Sequence, residues 1–312
     1  RDAITGLVLF VALSSRVLPS LLRVQNAILE IRGSTEATLN FLAEFNSAIA
    51  SAASFGVEVE EFDIPLEYNF NIDVNEQMQK GKEGLDALLP ILQEHQIATT
   101  LFTTANFALH FPEAIQQLGK HHEIASHTFY HSSYATDDLK GSRERLSEII
   151  QKEVFGLRMP RMKQVPVADI IHAGYAYDAS IHPTWIPGRY NNLHLPRKLY
   201  VEEGLFRVPA SVSTFCRIPL FWLSFKNFTY SLYLQLAIQS LKREGFLSLY
   251  FHPWEFVDIH AYGLPNYTIK GCQSVLFKKL NQLISDLKLH GEFISYNDYV
   301  KSQSNHAECN PI

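Results

Sequence analysis

The stretch "IATTLFTTANFALHFPEAIQQLGKHHEIASH", residues 97–127, holds the pattern that decides the fold. "IATTLFTT" is a short apolar run rich in β-branched residues and reads as a strand, "PEAIQQLGKH" reads as a helix with proline at its start, and "EIASH" reads as a second strand. The same alternation extends in both directions. "GLDALLPILQEH" is a helix despite Pro90, "RERLSEIIQKE" a helix and "GLRMP" a strand. "GYAYDAS", the helix "FTYSLYLQLAIQSLKREG", the strand "FLSLYFHPW" and the helix "VLFKKLNQLISDLKLHG" follow, before "EFISYNDYV". Repeated strand and helix units over this length predict a parallel α/β fold, open or closed, with chemistry at the carboxyl ends of the strands.

Five apolar runs end in residues able to ligate, to move a proton or to orient a partner. Asp63 follows "VEVEEF", His127 follows "EIAS", Arg158 follows "FGL", Asp178 follows "GYAY" and His252 follows "LSLYF". Each has an ordinary alternative taken singly. Asp63 suits a turn before Pro65, Glu67 a solvated loop, Arg158 the surface, Asp178 a turn, and His252 a half-buried core position before a proline. Scattered polarity would not fall so regularly at strand ends, so the set points to an enzyme.

His127 and His131 stand four apart in "SHTFYHSS", a spacing that lets both rings reach one metal ion on a helix or tight turn. Alone it is a weak signal among thirteen histidines. Such a pair needs an oxygen ligand, for which Asp63 and Glu67 in "EFDIPLEYNF" are the nearest candidates. The three cysteines, Cys216, Cys272 and Cys309, are odd in number and far apart, so neither a disulfide framework nor a cysteine zinc cluster is indicated. With 27 basic and 32 acidic side chains the formal net charge is -5, which speaks against electrostatic capture of nucleic acid.

The motifs "EFDIPLEY", "HEIASHTFYHSS", "GLRMP", "YDASIHP" and "LYFHPWEF", in this order, resemble those of the NodB-homology polysaccharide deacetylases, carbohydrate esterase family 4, and most of all the branch found in surface-polysaccharide gene clusters. The resemblance covers about residues 57 to 301. It implies a distorted (β/α) barrel, often of seven strands, and a divalent metal, usually zinc and sometimes cobalt. It implies His127 and His131 as metal ligands, Asp63 as catalytic base, Arg158 as the arginine that orients the base, His252 as general acid and Asp178 as the aspartate that tunes it. The family's usual second acid is replaced by Ile64 or Pro65, so Glu67 is expected as third ligand, with Asp63 as the alternative.

The chemistry expected is removal of an acetyl group from an N-acetylated sugar in a polysaccharide or its lipid-linked precursor. An allantoinase-like small-amide hydrolase and an inactive carbohydrate-binding homologue are the rival readings. Trp185, Trp254 and Tyr190 are candidate surfaces for a sugar, whereas Tyr177 and Phe251 read as core. Residues 1–56 are expected to be a helical segment of unknown function, 57–301 the deacetylase domain and 302–312 a tail. "AITGLVLFVAL" near the start is too short for a confident membrane span and is also compatible with a signal-peptide remnant. The expected location is the bacterial cytoplasm or cell envelope.

Overall fold

The computed structural model describes residues 51–308, with side chains as far as 304. Most of the segment expected to be helical, residues 1–50, lies outside the described residues. Its last part does not: β1 is Ala52–Val59, so the expected boundary at residue 56 falls inside the first strand. All eight residues of β1 are buried, which is what a strand covered on both faces requires.

The chain continues through helix α1 (Val74–Glu94), β2 (Thr100–Thr103), α2 (Ala105–His110), α3 (Pro112–Leu118), β3 (Glu123–Ser126), α4 (Asp137–Ile150), β4 (Gly156–Leu157), α5 (Val167–His172) and β5 (Tyr177–Asp178). Two short hairpins follow, β6 (Trp185–Ile186) with β7 (Tyr190–Asn191) and β8 (Tyr200–Glu202) with β9 (Leu205–Arg207). Then come α6 (Trp222–Asn227), α7 (Tyr230–Glu244), β10 (Phe246–Phe251), α8 (Asn266–Ile269), α9 (Ser274–Lys288), β11 (Glu292–Phe293) and α10 (Tyr296–Glu308), the last crossing the expected tail boundary. No helix among the described residues is long and apolar enough to cross a membrane.

The main sheet runs β10-β1-β2-β3-β4-β5-β9-β8 and is parallel throughout except at β8–β9. β11 pairs with Ala52 and Ala53 of β1, below the Gly56–Val59 segment that pairs with β2. The curled sheet is joined across its gap by Ser211, whose N–H donates to the Ser248 carbonyl of β10 and whose hydroxyl oxygen accepts from the Ser248 N–H. This is the distorted (β/α) barrel expected from the sequence. The two hairpins were not legible there, because strands of two or three residues carry no periodicity to read.

Side-chain alternation sorts β1 between two environments. Phe55, Val57 and Val59 pack with Leu101, Ile124 and Leu157 in the larger core under the helices. Ala52 packs with Phe102, Ala125, Tyr177 and Tyr296 in a second cluster. Gly56 shares the Ala52 face: a β-carbon at Gly56 would meet Arg158 Nη1 at 2.5 Å and the Phe102 ring at 3.0 Å. Glu58 and Glu60 continue that face upward, two carboxylates aimed into the barrel at the carboxyl end of its central strand.

Candidate active site

Strand ends deliver the polar groups to one place. Glu58 closes β1, Glu60 follows it, His127 follows β3, Arg158 follows β4 and His252 follows β10. The ligand atoms of Glu60, His127 and His131 lie within 4.8 Å of one another. Glu60 Oε2 is 3.1 Å from His127 Nε2 and 3.1 Å from His131 Nε2, and the two imidazole rings are nearly parallel with centroids 5.6 Å apart. The tight turn that makes this possible has Thr128 in left-handed backbone geometry, φ 64°.

The acceptors beside the rings define the tautomer that each takes when neutral. The His127 Nδ1–H donates to the Arg158 carbonyl at 2.7 Å, and the His131 Nδ1–H donates to Asp63 Oδ1 at 2.7 Å. In the neutral rings the Nε2 atoms therefore present lone pairs to the Glu60 carboxylate. His127 Nε2 and Glu60 Oε2 are buried and have no hydrogen-bond partner, an arrangement that is unfavourable unless a cation stands between them. Donor atoms about 2.0–2.2 Å from one tetrahedral ion stand about 3.3 Å apart, close to the separations here. The residues present fit a divalent metal of the kind held by nitrogen and oxygen.

Beside this cluster lies a chain of charges. Glu58 Oε1 accepts from Arg158 Nη1 at 3.3 Å, and Glu58 Oε2 is 3.0 Å from His252 Nε2. Arg158 is fully buried, donates also to the Ala179 carbonyl and the Tyr296 hydroxyl, and lies over the Phe102 ring at 4.3 Å. Burial would raise the Glu58 pKa, but the His252 hydrogen bond and charge, with His127 and Arg158, hold it far below the carboxylate range. On its other side, Glu255 Oε1 accepts from the His252 backbone N–H at 2.7 Å and from its Nδ1 at 3.1 Å. Burial would lower the His252 pKa, yet the hydrogen bonds to Glu255 and Glu58 and the charges of Glu58 and Glu60 raise it to about 10.

Several sequence expectations are corrected by this geometry. Asp63 Oδ1 accepts from His131 Nδ1 and its Oδ2 from Arg161 Nη2, whereas the arginine expected beside it, Arg158, donates to Glu58. Burial would raise its pKa, but His131 and Arg161 lower it. Glu67 lies at the cavity rim between Arg161 and Arg189 and is not part of the His127–His131 cluster. Arg158 is brought to the site, but its carboxylate is Glu58 instead of Asp63. Asp178 is buried and engaged by Ser180 and Arg207, and Glu255 takes the place expected for it beside His252.

The missed residues carried a signal. In "VEVEEFD" the strand alternation makes Glu58 and Glu60 neighbours on one face, whereas the reading from sequence went to the acid after the run. Glu255 stands three residues after His252, and both fit a short turn that starts at Pro253.

A cavity of about 260 Å³ opens above the charges, lined among others by Glu58, Glu60, His131, Tyr190, Trp222 and His252. Tyr190 has its hydroxyl 3.0 Å from His182 Nδ1. Trp254 is buried, stacks on His252 with centroids 4.7 Å apart and donates its indole N–H to Glu60 Oε1 at 3.1 Å. Its ring edge reaches the cavity, but its polar atom is spent on Glu60. Trp185, on β6, is 59% exposed and lies outside the cavity lining.

Residues 73–167 match the family described as polysaccharide deacetylase. No curated protein sequence matches the chain. Among solved structures, one assigned to the polysaccharide deacetylases of Mycobacterium smegmatis is similar at 17% identity and TM-score 0.56, covering 83% of this chain and 92% of the other. Another, from Pseudomonas aeruginosa PAO1, is similar at 15% identity and TM-score 0.58, covering 81% and 90%. The Puue allantoinase is similar at 16% identity and TM-score 0.52, covering 79% and 88%. At these identities the structures speak to the fold: the described residues form a barrel of the kind seen in those proteins, and residues 73–167 match the polysaccharide deacetylase family.

Proposed function

We propose that this protein is a metal-dependent hydrolase that removes an acetyl group from the nitrogen of an N-acetylated sugar, in a polysaccharide or its lipid-linked precursor. The observation that carries the reading is the division of labour between two carboxylates on one strand face: Glu60 meets His127 and His131, and Glu58 stands between Arg158 and His252.

Glu60, His127 and His131 would hold the metal, with Asp63 and the Arg158 carbonyl fixing the two rings. A divalent ion held this way, zinc or cobalt by the resemblance, supplies Lewis acidity toward the acetyl oxygen and a more acidic water. Glu58, kept ionised by His252 and Arg158, is placed to take a proton from a water in the cavity as general base. The carbonyl carbon gains a bond to the water oxygen, and its bond to nitrogen breaks. His252, between two carboxylates, carries the proton that Nε2 gives to the departing amine. Tyr190, Trp222 and Trp254 offer aromatic surface to a sugar ring, and Trp185 could meet only a chain that extends beyond the cavity.

The experiment is acetate release from N-acetylglucosamine oligosaccharides by zinc- or cobalt-loaded protein, with allantoin in parallel. Turnover that is lost in Glu58→Gln supports the reading, and a metal-loaded protein without activity on any N-acetylated sugar rejects it. One observation favours a small-amide substrate: a cavity of about 260 Å³ has room for about one sugar ring or a compact amide. Hydrolysis of allantoin alone would select that reading.

A further inference from the structure

Behind the wall of the cavity, Lys226 on α6 has a side chain with no exposed surface. Its Nζ donates to the Thr268 carbonyl at 2.7 Å and stands 3.3 Å from Glu255 Oε2, 3.8 Å from Cys272 Sγ, and under the rings of Trp222 and Trp254 at 5.4 and 5.8 Å from their centroids. Glu255 is equally buried, and its other oxygen holds both the backbone N–H and the ring Nδ1 of His252. Among the described residues, Lys226 and His252 are the cationic groups paired with Glu255.

A buried lysine–glutamate pair is weak evidence for stability, since apolar residues of similar volume often serve as well. Its position here has a chemical consequence. Left without Lys226, the dry Glu255 carboxylate would lose the partner of its Oε2, and the Oε1 that holds the His252 ring would no longer be fixed. The His252 ring would then be free to turn away from the leaving group.

We infer that Lys226 is a positioning residue for the hydrolysis: by fixing the Glu255 carboxylate behind His252, it orients the ring whose Nε2 faces the leaving nitrogen. The inference rests on the hydrolase reading above. Lys226 does not itself line the cavity or hold the metal; besides Glu255 it contacts Thr268, Trp222 and Trp254, which do line the cavity, and the ester control reports any disturbance of those walls.

The test compares two substrates that differ in their need for that proton. An N-acetylglucosamine oligosaccharide must have its departing amine protonated, whereas 4-nitrophenyl acetate releases a stable phenolate without help. In zinc-loaded Lys226→Met, kcat on the oligosaccharide is expected to fall about 100-fold or more. Turnover of the ester and zinc content should stay near those of the wild type. If the lone buried Glu255 prevents Lys226→Met from folding, Lys226→Gln, which leaves Glu255 in place but brings a shorter, neutral side chain, carries the same expectation. Wild-type oligosaccharide turnover in a folded variant overturns the inference, as does an equal loss on both substrates with zinc retained. A wild-type protein inactive on both substrates overturns the hydrolase reading instead, and the inference falls with it.

Discussion

Glu58 at the end of β1 and Glu60 just past it share one face, yet their nearest charged partners differ: Glu58 joins Arg158 and His252 at 3.3 and 3.0 Å, and Glu60 joins His127 and His131 at 3.1 Å each. The barrel makes this separation. β1 lies between β10 and β2, so the end of β10 delivers His252 to one side of the pair while the ends of β3 and β4 deliver the histidine turn and Arg158 to the other.

Removing the Glu60 carboxylate should remove the metal. In Glu60→Gln the bound divalent ion is expected to fall from near one equivalent to near none by plasma mass spectrometry, because the carboxylate is the only anionic ligand of the cluster. Glu67→Gln should keep the wild-type content, since Glu67 is held by Arg161 and Arg189 at the rim. Equal retention in both variants would exclude Glu60 as a ligand.

Asp63 acts through His131. Replacing it by Asn keeps the shape but weakens the acceptor at Nδ1, and an outer-shell change of this kind lowers metal affinity about 10- to 100-fold. Competition with a chelator measures it. Unchanged affinity would mean that the 2.7 Å contact does not help hold the ring.

The pH dependence follows from His252. Its pKa is raised, so the proton needed by the leaving group is present through neutral pH and is lost as pH rises. The alkaline limb of kcat/KM therefore reports its deprotonation. Glu255→Gln takes away the charged acceptor that helps hold the pKa up, and the alkaline limb should move to lower pH. A limb that stays in place would assign it to another group.

Gly56 makes room for Arg158. An alanine β-carbon there would stand 2.5 Å from Nη1, so the guanidinium must shift away from Glu58. Overpacking of this kind costs about 1–3 kcal/mol. Gly56→Ala should unfold at lower urea and lose turnover beyond what its stability loss explains.

Gly84 poses a conflict between local and tertiary preferences. Inside α1 an alanine would gain about 1 kcal/mol of helix propensity, but its β-carbon would lie 2.3 Å from the Pro253 carbonyl oxygen. That backbone belongs to the turn holding His252 and Glu255. Gly84→Ala is expected to destabilise by about 1–3 kcal/mol net, as urea denaturation would measure. A stabilised variant would mean that the helix can move off the turn freely.

The sequence by itself determined the alternation of strand and helix, and so a parallel α/β fold, because apolar runs bounded by polar residues report local burial; that the sheet closes into a barrel was expected only from the resemblance of its motifs. It also pointed to strand ends that the fold brings together. His127, His131, Arg158 and His252 stand just after their runs, where a barrel collects side chains. Only the tertiary structure decided which carboxylates complete the set. Glu58, Glu60, Glu61, Asp63 and Glu67 lie within ten positions. Which of them faces the histidines depends on the register of β1 against β2 and β10 and on the residue where the strand ends. A displacement of one residue turns a carboxylate from the barrel interior to the helix side. Lys226 was beyond reach for a similar reason: nothing local to "WLSFKN" announces that its charge will be buried against Glu255, a contact made only when α6 packs over the end of β10.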